Sequence, residues 1–284
     1  MIIIKFFTSF GTNAGCIEAY TRVSELNKDP SFNETYRFTS GDDYTHAIIL
    51  NTAMPKLTIP PENVIGLAFE PLEFLGLTHA FVEYAQESIG QYLIGQKSIL
   101  PLPFTEHFGY MWHITPLDLE KVLVQKKNIM SLMISDKTIL PGHKYRHLIC
   151  KHILHSNLPI DIYGRGCKFY SNLKDPRLKG VFSAIEPYND YQFHIAIENT
   201  QTPHYFSEKI MDPLLCNTVP VYLGCQNIKN YFPDSVIQLS GDIQDDMKLL
   251  TDICRNREKY SKQIDIEAVK KTISFTNVVN LFVV

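Results

Sequence analysis

Short apolar runs alternate with longer amphipathic stretches along most of the chain, which predicts alternating strands and helices. Residues 2–8 read as a buried strand, 16–26 as a helix, and 46–50 and 64–69 as further strands. Glu70-Pro71 ends the last of these abruptly; 80–88 is helical, 92–94 a short strand, and 100–103 a stiff proline connector. Residues 29–41 are polar and loop-like, and the pattern changes over 116–128, which reads as a hinge or bridging segment. A second series follows: strand 129–134, helix 144–156, strand 160–163 ended by Gly164-Arg165-Gly166, strand 236–239 and a helical tail. Two successive series imply an α/β protein of two Rossmann-like domains facing across a cleft, with domains at 1–120 and 121–284.

The most distinctive pattern runs over residues 193–224, FHIAIENTQTPHYFSEKIMDPLLCNTVPVYLG. An apolar strand, 193–197, stops at Glu198, Asn199 and Thr200. Thr202-Pro203 reads as a helix start, a capping hydroxyl with proline in the first turn. Tyr205, Glu208, Lys209 and Asp212 then recur at helical spacing as one polar face, opposite Phe206, Ile210, Met211, Leu214 and Leu215. Residues 219–223 form the next strand and Gly224 ends it. In parallel sheets ligands sit beyond the carboxyl ends of strands, which is where this segment concentrates its polar groups.

Composition narrows the classes. The chain has 284 residues, 45% hydrophobic and 20% charged, as in ordinary globular proteins. A net charge of -3 argues against a dedicated nucleic-acid binder. No apolar run reaches the roughly 18 to 20 residues of a membrane span. The opening MIIIKFF lacks the basic and small-residue features of a secretory signal, so it reads as a first strand. Six scattered cysteines without a C-x-x-C pair point to reduced thiols in a cytoplasmic protein.

Candidate chemistry gathers in the second half. Arg146 follows a strand and loop at the start of a helix, as a planar diphosphate ligand or as a solvated surface arginine. Lys209 is equally a ligand or an ordinary exposed lysine. Glu198 and Asn199 either line a site or cap a loop. Glu70 occupies the matching strand-end position of the first series, with Glu73 as competitor and turn formation beside Pro71 as the plainer reading. His143 and His147 are four apart on a helix, but no glutamate lies between them to complete a metalloprotease motif, and no D-x-D motif occurs.

These motifs resemble those of the family 10 glycosyltransferases, the α-1,3/4-fucosyltransferases. That family's pattern, roughly F-x-x-x-F-E-N-S, then Y-x-T-E-K-[LI], then V-P-V-x-x-G, is matched by residues 193–200, 205–210 and 219–224. Ser135, Arg146 and the run Ile160-Asp161-Ile162-Tyr163-Gly164 match a second block, so the likeness covers about residues 128–240. The resemblance implies a GT-B fold and inverting transfer of fucose from GDP-fucose to a hydroxyl of a glycan acceptor, of α-1,3 type, without an essential metal or other cofactor. Arg146 and Lys209 would hold the diphosphate, Glu208 the ribose hydroxyls, Asn199 and Tyr205 would line the donor site with Glu198 in support, and Glu70 would be the general base. A transferase using another nucleotide sugar, and a catalytically silent sugar-nucleotide or glycan-binding protein, are the alternative expectations. Thr200, Ser207, Pro213 and Asn217 depart from the family pattern. A bacterial or viral cytoplasmic protein is expected. The acceptor side is unassigned: Phe104, Phe108, Tyr110 and Trp112 would stack on a sugar or pack a core. Nothing in the sequence sets an oligomeric state.

Overall fold

The structure, a computed structural model, describes residues 1–110, 119–123 and 125–283. Trp112 and part of the expected hinge, 116–118 and 124, lie outside the described residues. Two compact units form: Met1–Ile114 with Thr202–Tyr205 and Lys270–Val284, and Thr115–Gln201 with Phe206–Val269.

The first unit runs β1 (Ile2–Thr8), α1 (Asn13–Leu26), β2 (Tyr36–Phe38), β3 (His46–Leu50), β4 (Val64–Leu67), α2 (Leu72–Leu75), α3 (His79–Ser88), β5 (Gln91–Ile94) and β6 (Phe104–Glu106). All six strands are parallel, in the order β2-β1-β3-β4-β5-β6. Thr12 and Thr78 set the starts of α1 and α3, each hydroxyl accepting an N–H three residues on, at 3.1 Å. β3 and β4 are almost wholly buried, as strands of a sheet covered on both faces must be. Phe81, Tyr92 and Phe104 fill one core of this unit. Phe104 and Phe108 are therefore core residues, whereas Tyr110 is half-buried and stacks on His107 at 5.2 Å.

The second unit runs β7 (Asn128–Met133), α4 (Pro141–Leu154), β8 (Ile160–Tyr163), β9 (Leu178–Gly180), α5 (Glu186–Asn189), β10 (Tyr191–Ile197), α6 (Glu208–Leu215), β11 (Val219–Leu223), β12 (Ile237–Gln238), α7 (Ile243–Arg255) and α8 (Arg257–Tyr260). Its sheet is also all parallel, in the order β12-β11-β10-β7-β8-β9. The chain builds outward from β7 in one direction and then restarts beside β7 with β10. This is the doubly wound order, and the reversal lies between β7 and β10.

α9 (Ile266–Ile273) and α10 (Thr276–Val279) follow, with a 3-10 helix at Asn280–Val283 after them. The tail was expected in the second domain, but Lys270–Val284 belongs to the first unit. Burial explains this. Phe275, 1% exposed, joins Phe6, Tyr20, Tyr36 and Phe38 in one aromatic cluster, and the Thr276 hydroxyl donates to the Asp29 carboxylate. Burying such a ring contributes about 2–3 kcal/mol.

Candidate active site

The carboxyl ends of β7 and β10 flank the reversal of the second sheet, where a crevice must open because the two connections leave in opposite directions. Past β10 come Glu198 and Asn199; past β7 the chain turns into α4. Gly142, in the first turn of α4, lies against the end of β10. Its N–H donates to the Asn199 carbonyl at 2.9 Å, and a Cβ there would stand 1.8 Å from the Glu198 carbonyl oxygen. Only glycine allows helix and strand to meet this closely.

One turn further on, Arg146 folds back into this junction. Its Nε donates to the Gly142 carbonyl at 3.2 Å and its Nη2 to the Asn199 side-chain oxygen at 2.5 Å. Arg146 is 6% exposed, which rules out the solvated surface reading. A guanidinium in such a place serves a fixed, planar recognition task.

Glu198 is buried with no exposed side-chain surface, and both its oxygens are used. One accepts the Ser207 N–H at 2.8 Å and the other the Ser207 hydroxyl at 2.7 Å. Ser207 in turn caps α6, its oxygen accepting the Lys209 N–H at 3.4 Å. The helix therefore begins at Glu208, and the expected start at Thr202-Pro203 is wrong. Thr–Pro has the local look of a cap, but the carboxylate at the strand end selects Ser207 instead. Tyr205 consequently precedes the helix, in the Thr202–Tyr205 segment that groups with the first unit, and does not share a helical face with Glu208. His204 before it adopts a left-handed backbone, φ 57°.

The Lys209 ammonium sits 2.8 Å from Glu208, 3.1 Å from the Ser207 oxygen and 3.6 Å from Glu198. Burial alone would lower its pKa, but Glu198 and Glu208 outweigh that and hold it above the ordinary lysine value. Burial would raise Glu208, yet the Lys209 pair keeps it below the usual carboxylate value. Glu198 is pushed up by burial against the opposing pull of Lys209 and Ser207. Arg146 and Lys209 both bear on His143, which is driven down to about 4 chiefly by burial and secondarily by these cations. Asp212, expected on an exposed polar face with Lys209, is 4% exposed.

The histidine pair has other duties. His143 accepts the Leu140 N–H at 3.1 Å, and His147 donates to the Ser135 carbonyl at 2.9 Å while accepting from the Tyr170 hydroxyl at 2.8 Å. Among the described residues no group of three or more His, Cys, Asp or Glu side chains is arranged to hold a metal ion. None of the six cysteines is in a disulfide. Gly164 has φ 104° and a Cβ would meet the Ile134 carbonyl oxygen at 2.1 Å, so it seats the end of β8 against β7.

In the first unit, Glu70 follows β4 at the carboxyl end of its own sheet and is exposed. The strand ends at Leu67 rather than 69, but the chain beyond stays anchored. The Ala68 N–H donates to the Leu93 carbonyl at 2.9 Å and the Phe69 N–H to the Asn51 side chain at 2.8 Å. Glu73 lies in α2 and is exposed too. Gly142 and Asn51 were not singled out by sequence, and Ser207 was noted only as a departure from the family pattern; its capping role had a legible signal, a capping residue directly before Glu208.

Comparison with known proteins agrees with this arrangement. Residues 123–272 match the family described as Glycosyltransferase family 10 (fucosyltransferase) C-term. An Alpha-(1,3)-fucosyltransferase B of Drosophila melanogaster is 34% identical over 87 residues, covering 29% of this chain and 20% of that protein. A fucosyltransferase-like protein of Arabidopsis thaliana is 26% identical over 127 residues, 43% of this chain and 23% of that protein. The chain thus aligns with less than a quarter of the length of either relative. In fold it is similar to an alpha1,3-fucosyltransferase solved with GDP-fucose, TM-score 0.57 at 12% identity, covering 99% of this chain and 89% of the other. It is likewise similar to HepE of Anabaena solved with UDP, TM-score 0.56 at 10% identity, covering 99% and 97%. Both are GT-B proteins, and the two parallel sheets here have that fold. With its match running from the bridging segment through the carboxyl ends of the second sheet, over more than half of its residues, the chain belongs to glycosyltransferase family 10, the fucosyltransferase family.

Proposed function

We propose that the protein is an inverting fucosyltransferase that moves fucose from GDP-fucose to a hydroxyl of a glycan acceptor, forming an α-1,3-type linkage. The observation that carries this reading is the convergence of Arg146, Asn199 and Lys209 on the reversal of the second sheet, beside the amino ends of α4 and α6. A nucleoside diphosphate leaves with added negative charge, and two cations with two helix amino termini stabilise that charge. In this proposal Arg146 and Lys209 hold the diphosphate and Glu208 the ribose hydroxyls. Asn199 lines the site beside Arg146, and Tyr205 adds a phenol from the preceding loop. Glu198 supports them by fixing Ser207, hence the start of α6. Glu70, exposed at the carboxyl end of the first sheet, takes the proton of the acceptor hydroxyl as that oxygen attacks the anomeric carbon from the face opposite the nucleotide. One base suffices, no covalent intermediate forms, and the charge on the leaving group is met without a metal. Six cysteines outside disulfides support the cytoplasmic setting proposed here.

Thermal unfolding with GDP-, UDP- and dTDP-sugars, paired with a transfer assay, tests the reading. GDP-fucose is expected to raise the unfolding temperature most. Lys209→Ala is expected to weaken donor binding by about 1.5–3 kcal/mol, the size of a charge-assisted hydrogen bond. Glu70→Gln is expected to lower turnover by about 100-fold or more with donor affinity unchanged. A fully active Glu70→Gln protein would pass the base to Glu73, and a larger shift with a UDP-sugar would change the donor. A GDP-fucose shift without any transfer would identify a silent binding protein.

A further inference from the structure

The free edge of the second sheet carries a surface that the donor site does not use. Residues 164–182 hold five basic side chains against one acidic, in a chain whose net charge is -3; Arg177 and Asp175 pair with each other, which leaves Arg165, Lys168, Lys174 and Lys179 against the neighbouring Asp136 and Asp161. The stretch opens with a 3-10 helix, Arg165–Leu173, followed by edge strand β9. Three residues per turn place Arg165 and Lys168 in one outward row, while Cys167 and Tyr170 point inward and are buried. The Gly164 N–H donates to the Gly180 carbonyl at 2.6 Å, which sets Val181 beside the start of that helix.

Large apolar side chains stand out from this edge instead of packing under it. Val181 is 81% exposed, Phe169 53% and Leu173 51%. The Lys168 ammonium lies 5.3 Å from the Phe169 ring centre, so a cation and an aromatic ring project together. Asp136 is shared by Lys168 at 3.0 Å and Arg165 at 3.8 Å, one carboxylate between two cations. Lys179 faces Asp161 at 3.4 Å. These are partly exposed surface pairs, which contribute little to stability. Neither the fold nor the donor site requires a ring, two aliphatic side chains and a cationic excess on one outer edge.

We infer that this edge, formed by Arg165, Lys168, Phe169, Leu173, Lys179 and Val181, docks the protein on an anionic phospholipid surface. Protruding apolar side chains interspersed with long cations along one edge segment suit a bilayer interface. The apolar tips enter the acyl boundary and the ammonium and guanidinium groups remain among the phosphates. A protein partner would call instead for a concave or flat apolar centre of larger area. The surface lies wholly within the second unit and is independent of the donor reading.

The test is flotation of the full chain with vesicles of phosphatidylcholine alone and of equal parts phosphatidylcholine and phosphatidylglycerol. Binding is expected only to the anionic vesicles, and is expected to fall steeply as salt rises to about 0.5 M. Each basic residue near such a surface contributes roughly a fivefold gain in affinity, so removing two in R165E/K168E is expected to weaken binding about 25-fold or more. Phe169→Ser is expected to weaken binding further at every salt concentration, with the unfolding temperature of each variant held near the wild-type value. Absence of binding to anionic vesicles at low salt would overturn the inference, as would undiminished binding by R165E/K168E. Salt-insensitive binding to neutral vesicles, or lipid-free self-association abolished by the same substitutions, would also overturn it.

Discussion

Gly142→Ala perturbs the second sheet's site by a single methyl group. The new Cβ would stand 1.8 Å from the Glu198 carbonyl oxygen, 2.8 Å from its carbon and 2.9 Å from the Asn199 Cα. All three are backbone atoms, so no side-chain rotation relieves the clash. Ordinary contact begins near 3.4 Å, so α4 and the end of β10 must part by about 1.6 Å, the difference between 3.4 Å and 1.8 Å. That movement carries the Gly142–Asn199 hydrogen bond, now 2.9 Å, out of range and draws Arg146 away from the Asn199 side chain. A lost hydrogen bond costs about 1 kcal/mol. Overpacking adds about 1–3 kcal/mol. Replacing glycine in a helix returns about 0.5–1 kcal/mol. The expected net loss is about 1–3.5 kcal/mol, or roughly 2–14 °C in unfolding temperature for a unit of this size.

Nucleotide binding separates this effect from general damage. Gly76, at φ 62° with open space within 4 Å of where a methyl group would stand, provides the control. Gly76→Ala is expected to cost about 1–2 kcal/mol through its left-handed backbone alone and to leave nucleotide binding intact. Gly142→Ala is expected to lose most of its GDP-dependent thermal shift. Were Gly142→Ala within about 0.5 kcal/mol of wild type, with its GDP shift retained, the close seat of α4 on β10 would be refuted.

Two other outcomes bear on buried charge. Glu198→Gln keeps the shape but loses the carboxylate that holds the Ser207 cap of α6, and is expected to lower stability by about 1–3 kcal/mol in urea unfolding at pH 7. A more stable variant would show that the acid is carried neutral and contributes nothing as a charge. His143 and His194 are buried, and burial drives them to about 4 and about 3 from an ordinary 6.5. A histidine held neutral binds fewer protons folded than unfolded, so its stability is full above about 6.5 and is lost as pH falls toward the folded value. At pH 5 each contributes a loss of about 2 kcal/mol, roughly 4 kcal/mol together. Equal urea midpoints at pH 7 and pH 5 would contradict this.

How much of this was legible varied with the physical origin of each feature. The buried parallel strands declared themselves, because a strand covered on both faces has to be continuously apolar; 46–50, 160–163 and 219–223 were located to the residue. β2, β6 and β9, each three residues long at or near a sheet edge, left no such run, and β2 lay hidden in a polar stretch read as loop. The family motif brought Glu198, Asn199, Glu208 and Lys209 together, but helical periodicity misassigned their geometry. Tyr205 was spaced as though on the helix with Glu208, because a local capping signal at Thr202-Pro203 outweighed a second one at Ser207. The contact that decides between them spans nine residues and needs the strand end in place first. Arg146 was as readily a surface residue for the same reason. Its burial depends on Gly142 meeting β10, a contact between elements far apart in sequence.

Glu198 shows what the polar cluster at this strand end is for. If it were a ligand group, at least one carboxylate oxygen would face the crevice, but both are turned to Ser207 in full burial. It acts on the site through backbone position. It fixes where α6 begins, which fixes where the N-terminal dipole points and where Glu208 and Lys209 emerge. Gly224 secures it from the other side, since a Cβ there would lie 2.4 Å from the Glu198 Cγ. Gly142 performs the corresponding task for α4 and Arg146. Each proposed diphosphate ligand is thus placed by a helix amino end seated on the same strand, β10, and the spacing between the two cations is set by the backbone. Substitutions at Gly142, Glu198 or Gly224 should therefore disturb donor binding as strongly as loss of a cation, although none of the three needs to touch the nucleotide.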